Sequence, residues 1–270
     1  MNLSISTYNI CLRWPQCFFN LHPYERLDQF TTWLYNNKTP DILFLQEFFI
    51  NPDEFITDMR DDGIEYWDFP KGTGLAVLSK VEILSNKFIK FPWKIRNSIL
   101  DKFYVTRGIQ VVEFDNFYII NTHLQPYDDK VSIKSRHEQV MFIIKYIKEL
   151  DKDVILVGDL NLNIRNEMDK LSLELLYDRC KFRKLMQSNI TISMKNNINY
   201  FETGKRSNSM LDYILVPKEY EYNYNIYNPI SEYKLVYERS LHIKAMGIKQ
   251  NKVETNELSD HNLLNCVIKI

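Results

Sequence analysis

An apolar run followed by two polar side chains occurs in the segment Val154-Ile155-Leu156-Val157-Gly158-Asp159-Leu160-Asn161. The first four residues have the length and β-branched character of a buried strand. Residues i and i+2 of an extended segment point to the same side, so Asp159 and Asn161 would lie together at an open sheet edge. A carboxylate and a carboxamide in that place suit a hard cation and a phosphate. By themselves, the same residues would equally form an ordinary turn.

Composition allows a large core and gives no strong overall charge, which leaves only a local charged patch open. The chain has 270 residues with 45% hydrophobic and 14% aromatic content. Its formal net charge is -1, from 34 basic and 35 acidic residues, so no global field draws it to nucleic acid or an anionic membrane. Seven glycines and an abundance of Asn, Lys and Ile predict an AT-rich source, such as a microbe, parasite or large DNA virus.

The N-terminal residues lack a basic n-region and a long apolar h-region, and no stretch holds 18 consecutive apolar residues. We therefore expect a soluble, cytoplasmic protein without signal peptide or transmembrane segment, and we expect a monomer. Cys11, Cys17, Cys180 and Cys266 lack the paired spacing of metal ligands. An intracellular setting would keep them reduced, as packing residues.

Strand-like runs alternate with helical patterns, and no Gly/Ser/Pro-rich linker interrupts them, which predicts one mixed α/β domain over residues 1–270. Asp115-Asn116 is typical of a hairpin turn. The polar, irregular stretches 189–208 and 220–257 are interpreted as long surface loops or insertions. Helical periodicity predicts helices at about 24–36 and 132–150. Apolar and β-branched content predicts strands at 3–10, 42–46, 74–79, 108–114, 117–122, 154–157, 211–216 and 263–270.

Polar residues recur at six of these strand boundaries. Each has a structural explanation of its own, as a turn, a cap or a hydrogen-bonded histidine. Loops at strand ends usually carry function, and the repetition of one chemical theme favours a shared site. The residues are Tyr8-Asn9, Gln46-Glu47, Asn121-Thr122-His123, Asp159 with Asn161, Asp212, and Ser259-Asp260-His261.

These segments resemble, in order, the motif series of the endonuclease/exonuclease/phosphatase superfamily, and they extend over nearly the whole chain. The resemblance implies a four-layer α/β/β/α sandwich of two packed mixed β-sheets flanked by helices, with the active site at one edge. It also implies phosphoester hydrolysis. The matching motifs are Tyr8-Asn9, Leu45-Gln46-Glu47, Gly74-Leu75-Ala76-Val77-Leu78-Ser79-Lys80, Asn121-Thr122-His123-Leu124, Gly158-Asp159-Leu160-Asn161, Leu211-Asp212-Tyr213-Ile214 and Ser259-Asp260-His261.

The resemblance further implies a divalent cation, with Mg²⁺ as the expected ion and Mn²⁺ as a substitute. Glu47 resembles its principal ligand, with Asn9 beside it and Asp260 close by. Such a metal would polarise a phosphoryl oxygen and offset charge that develops on the phosphate.

The catalytic residues are also implied by the resemblance. Asp159, Asn161 and His123 resemble residues that orient the attacking water and hold phosphate oxygens, and His261 resembles the histidine that faces the scissile phosphate. Asp212 would pair with His261 and raise the basicity of its imidazole. Either His261 or Asp159 could take the proton from water, and the hypothesis adopted here assigns that role to His261.

Substrate class depends on finer motif detail. Leu45-Gln46-Glu47-Phe48-Phe49 and Asn121-Thr122-His123-Leu124-Gln125, followed by Arg136 and Gln139, resemble the sphingomyelinase-like branch, whose members release a phosphorylated head group from a lipid. Arg136 and Arg107 are candidate ligands of the substrate phosphate. The alternatives are that Arg136 satisfies its own loop and that Arg107 forms a surface salt bridge.

The chain lacks features that are typical of other branches of the superfamily. Ser207-Asn208-Ser209-Met210 replaces the Trp- and Cys-containing motif of inositol phosphatases, which argues against that branch. Neither the signal peptide nor the apolar membrane-contact hairpin of secreted bacterial sphingomyelinases is identified. Phe91-Pro92-Trp93 could touch a bilayer or belong to the core. The rival function is a DNA or RNA nuclease, for which basic residues at 87–96, 181–184 and 205–206 could contact phosphates. An inactive binding module is disfavoured, because every catalytic position is filled.

Overall fold

The computed structural model describes residues 2–12, 19–20, 22–95, 105–184, 191–193, 195, 198, 208–239 and 252–269. The helices are α1 (Pro23–Asn37), α2 (Asp53–Asp61), α3 (Lys130–Ile147) and α4 (Glu167–Arg179), and a 3-10 turn spans Trp93–Ile95. The strands are β1 (Asn2–Leu12), β2 (Phe19–Asn20), β3 (Ile42–Phe48), β4 (Tyr66–Asp68), β5 (Ala76–Ser79), β6 (Ser85–Lys90), β7 (Gly108–Glu113), β8 (Phe117–His123), β9 (Asp153–Asp159), β10 (Asp212–Leu215), β11 (Glu221–Tyr227), β12 (Ile230–Arg239), β13 (Lys252–Glu257) and β14 (Leu263–Lys269).

Two mixed sheets form the centre of the fold. The six-stranded sheet has the order β11-β14-β1-β3-β5-β4, and the five-stranded sheet has the order β10-β9-β8-β7-β6. Each sheet contains one parallel pair, β1 with β3 and β8 with β9, while the other neighbours are antiparallel. In both parallel pairs, the polar residues that the sequence singles out lie at the carboxyl end.

Three apolar clusters separate four layers. Ile5 and Phe44 of the six-stranded sheet pack against Ile119 and Ile155 of the five-stranded sheet. Helices α1 and α2 cover the outer face of the six-stranded sheet, and α3 and α4 cover the outer face of the five-stranded sheet. Both faces of the central strands are therefore buried, which explains their continuous apolar runs. The expected α/β/β/α sandwich of two packed mixed sheets is confirmed.

A buried polar network joins the two sheets next to the site. Gln46 Nε2 on β3 donates to Asn121 Oδ1 on β8 at 2.8 Å. Asn121 Nδ2 in turn donates to Gln110 Oε1 at 3.1 Å and to the carbonyl oxygen of Ala76 at 3.2 Å. Gln46, Asn121 and Gln110 are fully buried, so each amide needs its partner to offset desolvation.

The eight predicted strands and two predicted helices are all present, and Asp115-Asn116 forms the turn between β7 and β8. The interpretation of 220–257 as surface loops is wrong. This region contains β11, at the edge of the six-stranded sheet, and the antiparallel pair β12 and β13, which joins β2 in a third, three-stranded sheet. Strand β11 alternates polar and aromatic residues, a period of two that its asparagine content obscures. Most of 189–208 lies outside the described residues.

Several other expectations concern single side chains. Cys180 and Cys266 are free thiols and Cys11 is buried, while Cys17 lies outside the described residues. Phe91 is fully buried in the core, whereas Trp93 is 54% exposed. No helix in the described part of the chain has the length and apolar character that a membrane crossing requires.

Candidate active site

The five-stranded sheet contributes three site residues from three adjacent strands. His123 at the end of β8 is in register with Asp159 at the end of β9, and Asp159 is in register with Asp212 at the start of β10. Residues directly opposite each other in a sheet point to the same face, so these side chains form one row. His123 Nε2 lies 3.6 Å from Asp159 Oδ2. The row is buried.

The six-stranded sheet contributes Asn9 and Glu47 through distorted strand ends. The register of β1 on β3 shifts between Asn9 and Leu12, where Cys11 has a φ of 56°. Glu47, inside β3, has a φ of 57°. Non-glycine residues rarely adopt this left-handed conformation, which costs roughly 1–2 kcal/mol each. The distortion brings Asn9 Nδ2 within 3.3 Å of Glu47 Oε1 and 3.0 Å of Asp159 Oδ2.

His261 joins this row from the segment that precedes β14. Its Nδ1 lies 2.7 Å from Asp212 Oδ2, a short hydrogen bond between fully buried partners. Its Nε2 points toward two further carboxylates, 3.8 Å from Asp159 Oδ2 and 4.0 Å from Asp260 Oδ2. Ser259 fixes the segment, because its hydroxyl donates to the carbonyl oxygen of Asn9 at 2.6 Å. Six predicted site residues from six segments thus meet at one sheet edge.

The two histidines have opposite pKa shifts. Burial, followed by the Arg107 charge, lowers the pKa of His123 to about 4, although Asp159 and Glu47 act in the other direction. Burial also lowers the pKa of His261, but its neighbouring carboxylates, led by Asp212, outweigh burial and raise it well above the usual value. His123 is therefore a neutral imidazole at neutral pH, and His261 is the strong base of the site.

Asp159 lies between the two histidines. Burial and the Asp212 carboxylate raise its pKa, while both imidazoles and the hydrogen bond from Asn9 oppose the rise. A carboxyl group with a raised pKa accepts a proton more readily, so Asp159 is chemically competent as a second base.

Of the two interpretations of 159–161, the extended geometry is wrong and the turn fits. Asn161 has a φ of 51°, and its backbone N–H donates to Asp159 Oδ1 at 3.0 Å, so the segment forms a turn. The Asn161 side chain is half-buried and donates to the carbonyl oxygen of Leu124, next to His123, at 3.4 Å. Gly158 has a φ of +128°, and a Cβ there would lie 2.0 Å from the carbonyl oxygen of Thr122. The glycine therefore permits β8 and β9 to approach closely.

The two arginines have structural contacts. Arg136 is fully buried, and its Nη2 lies 2.8 Å from Asp169 Oδ2, while its other donors bond to Asp169 and to loop carbonyls. The prediction that Arg136 binds substrate phosphate is not supported, because its guanidinium is occupied and enclosed; the alternative, that it satisfies its own loop, fits. Arg107 Nη1 donates to the carbonyl oxygens of His123 at 3.0 Å and Leu124 at 3.1 Å. A phosphate contact by Arg107 stays a prediction.

The donor set fits a hard divalent cation. Four buried carboxylates share the site with the Arg107 guanidinium and His261, while His123 is neutral, so negative charge is in excess. Oxygen donors with excess negative charge are what Mg²⁺ prefers. Asp159, Asp212 and His261 offer ligand atoms within 4.8 Å of one another, but the Asp212–His261 bond already uses His261 Nδ1 and Asp212 Oδ2. Asn9 contacts both Glu47 and Asp159 and takes no part in that bond.

Sequence reasoning missed two residues that hold the site's backbone. Arg26 on α1 is buried and donates to the carbonyl oxygens of Leu258, Cys11 and Ile10, at the two segments that carry His261 and Asn9. Thr191 contacts the segments of Asp212 and His261. The partners are up to 232 residues apart in sequence, so no local pattern indicates these contacts.

The chain belongs to the Endonuclease/Exonuclease/phosphatase family, which matches residues 6–261. Members of this family are hydrolases that act on phosphoester bonds. Comparison with curated proteins gives no match.

Solved structures show the same fold. Beta toxin from Staphylococcus aureus with bound magnesium ions is 18% identical, with a TM-score of 0.74 over 98% of this chain and 99% of its own. Sphingomyelinase C from Streptomyces griseocarneus is 17% identical, with a TM-score of 0.70 over 99% of both chains. D. rerio TDP2 complexed with single strand DNA product is 17% identical, with a TM-score of 0.65 over 100% of this chain and 99% of its own.

Proposed function

We propose that this chain is a divalent-metal-dependent phosphodiesterase, similar to sphingomyelinases, in which water attacks a phosphodiester in line with the leaving group. The observation that carries the proposal is the buried row of His123, Asp159 and Asp212, which His261 completes through its 2.7 Å bond to Asp212. Such a row can orient a nucleophile, accept its proton and face a phosphate within one cleft.

In the proposed mechanism, His261 is the general base. Asp212 accepts the Nδ1 hydrogen bond of His261, which fixes the tautomer and leaves Nε2 to take a proton from water. Asp159 orients that water, since its Oδ2 lies 3.8 Å from His261 Nε2. His123 and Asn161 hold the phosphate oxygens, and a neutral His123 can donate one hydrogen bond to them.

Glu47 and Asn9, with Asp260 close by, would hold the cation, for which we propose Mg²⁺ with Mn²⁺ as a substitute. When bound, the metal would polarise a phosphoryl oxygen and offset negative charge at the phosphate. Asn9 Nδ2 donates to Glu47 and Asp159, which supports the assignment because it brings two carboxylates together. Asn9 Oδ1, the amide atom that would bind a cation, accepts one hydrogen bond from the N–H of Cys11 and has a second lone pair.

A lipid head group is the preferred substrate. Trp93 and Tyr127, which are 54% and 66% exposed, lie in the segments that follow β6 and β8 at the site edge. Exposed Trp and Tyr suit a membrane interface, since each has an apolar ring and a polar group. The likeness to Sphingomyelinase C is consistent with this choice.

A nuclease is the second candidate. The likeness to TDP2 with bound single strand DNA product extends over 100% of this chain and favours it. Three of the basic residues that could contact phosphates lie outside the described residues, namely Arg96, Lys205 and Arg206. Arg183 stacks on the Tyr222 ring at 5.3 Å, so its guanidinium already has a structural contact.

One experiment separates the candidates. The purified protein with Mg²⁺ is offered sphingomyelin, lysophospholipid, plasmid DNA, abasic-site DNA, RNA and bis-p-nitrophenyl phosphate, with chelator, Glu47→Ala and the exposed-acid control Glu54→Ala. Lipid turnover that chelator and Glu47→Ala abolish, and that Glu54→Ala retains, is the expected result. Turnover of DNA without lipid would favour the nuclease. Turnover that survives both chelator and Glu47→Ala would refute the metal mechanism, and no turnover despite bound Mg²⁺ would favour an inactive binding module.

A further inference from the structure

Thr191 contacts both segments that carry the Asp212–His261 pair. Its Oγ1 accepts hydrogen bonds from the backbone N–H groups of Leu211 at 2.9 Å and Asp212 at 3.2 Å. Its carbonyl oxygen accepts from the N–H of Asn262, the residue after His261, at 2.7 Å. One fully buried residue therefore connects the backbone of the acid to the backbone beside the histidine.

Asp212 has few other restraints on its carboxylate. Oδ2 bonds to His261, while Oδ1 has no hydrogen-bond partner among the described residues. A carboxylate held through one oxygen depends on its backbone for position, so the Asp212 N–H bond to Thr191 has a direct effect on the pair. The hydroxyl uses both acceptor lone pairs on adjacent N–H groups, which fixes the start of β10.

We infer that Thr191 is a positioning residue that sets the geometry of the Asp212–His261 pair through its hydroxyl. This inference rests on the proposed function, because it assigns that pair the proton transfer. Thr191 touches neither substrate nor reacting atoms, and it acts through the backbone of its two neighbours. Displacement of a catalytic group by about 1 Å lowers rates by roughly 100-fold, so loss of the hydroxyl has a measurable effect.

The test compares Thr191→Val, which keeps the shape and removes the acceptor, with Thr191→Ser, which keeps the hydroxyl. Thr31→Val, a buried threonine on α1 whose hydroxyl donates to the carbonyl oxygen of Leu27, is the matched control. With Mg²⁺ and bis-p-nitrophenyl phosphate, we expect Thr191→Val to lower kcat roughly 10- to 100-fold with KM unchanged. Thr191→Ser and Thr31→Val should retain wild-type kcat.

A second readout does not require activity. The Nδ1 proton of His261, bonded to Asp212, should give a downfield proton NMR signal in the wild type and in Thr191→Ser, and the signal should shift or broaden in Thr191→Val. If Thr191→Val unfolds, Thr191→Ala replaces it in both measurements. An unchanged kcat and NMR signal in the variants without the hydroxyl would overturn the inference, as would a serine variant that behaves like valine. An inactive wild type with the expected NMR pattern would overturn the proposed function and leave the positioning role intact.

Discussion

The two sheets contribute to one site in different ways. In the five-stranded sheet, His123, Asp159 and Asp212 are direct register partners on three adjacent strands. In the six-stranded sheet, Asn9 and Glu47 come from strands with a register shift and a left-handed backbone. Regular pairing sets side chains at fixed spacing, whereas distortion turns side chains toward a common point. Register thus sets Asp159 and Asp212, whereas distortion sets the proposed metal ligands Asn9 and Glu47. His261, the proposed base, comes from the segment before β14 and depends on its bond to Asp212.

Of the variants that test this division of roles, His261→Ala should lower the activity most. We expect His261→Ala to lower kcat by about 10²- to 10⁴-fold, because general-base catalysis is lost, while Mg²⁺ affinity stays unchanged. Steady-state kinetics and calorimetric Mg²⁺ titration measure the two effects, with His137→Ala on α3 as the control. A large loss of Mg²⁺ affinity in His261→Ala would contradict the division between the proton-transfer residues and the metal ligands.

The register of β8 and β9 can be broken at Gly158. A Cβ at this position would lie 2.0 Å from the carbonyl oxygen of Thr122, on top of an unfavourable φ of +128°. We expect Gly158→Ala to lower the free energy of unfolding by about 1–3 kcal/mol or more, measured by urea denaturation. Gly72→Ala is the matched control, since Gly72 has a φ of +73° and no atom within 4 Å of the added Cβ. Equal losses in the two variants would show that close strand approach is unimportant.

The proposed metal ligand Glu47, on the six-stranded sheet, can be tested without a change in side-chain size. We expect Glu47→Gln to weaken Mg²⁺ binding on the order of 10- to 100-fold, since an amide replaces a charged oxygen ligand. Activity should recover partly at high Mg²⁺ concentration, and Glu54→Gln should behave as wild type. Calorimetry at increasing Mg²⁺ measures the affinity, and an unchanged value would remove Glu47 from the ligand set.

The smallest expected effect is a shift in pH dependence. A histidine base works when neutral, and nearby carboxylates raise the pKa of His261, so the rate should rise with pH through that raised pKa. Asp159→Asn removes one of these carboxylates, so its acid limb should remain and move slightly to lower pH. The position of the acid limb is measured from the pH dependence of kcat/KM at saturating Mg²⁺ in the wild type, His261→Ala and Asp159→Asn. Retention of the limb in His261→Ala and its loss in Asp159→Asn would make Asp159 the base.

The sequence predicts those parts of the fold and site that depend on local pattern. Apolar runs such as 154–157 indicate central strands because both of their faces are buried. Short or polar elements escape this reasoning: α2 buries only Phe55 and Met59, and β11 alternates aromatic with polar residues.

Side-chain orientation depends on distant contacts and cannot be predicted from local pattern. The Asn161 side chain donates to the carbonyl oxygen of Leu124, which lies 37 residues earlier in the chain. Arg136 is engaged by Asp169, which lies 33 residues further along the chain. Thr191 and Arg26 act on residues that become neighbours only after the sheets pack.

The Gln46–Asn121 bond has a consequence for evolution of the chain. Two apolar sheet faces can slide over each other at little cost, because dispersion contacts have no direction. A buried amide pair accepts one alignment, since any slip leaves donors and acceptors unsatisfied. Loops that connect the sheets can therefore lengthen, shorten or diverge without moving one half of the site past the other. Changes in loop length therefore need not disturb the cleft. Glu47 follows Gln46 directly and His123 lies two residues after Asn121, so the Gln46–Asn121 bond keeps these two site residues in the same relative position.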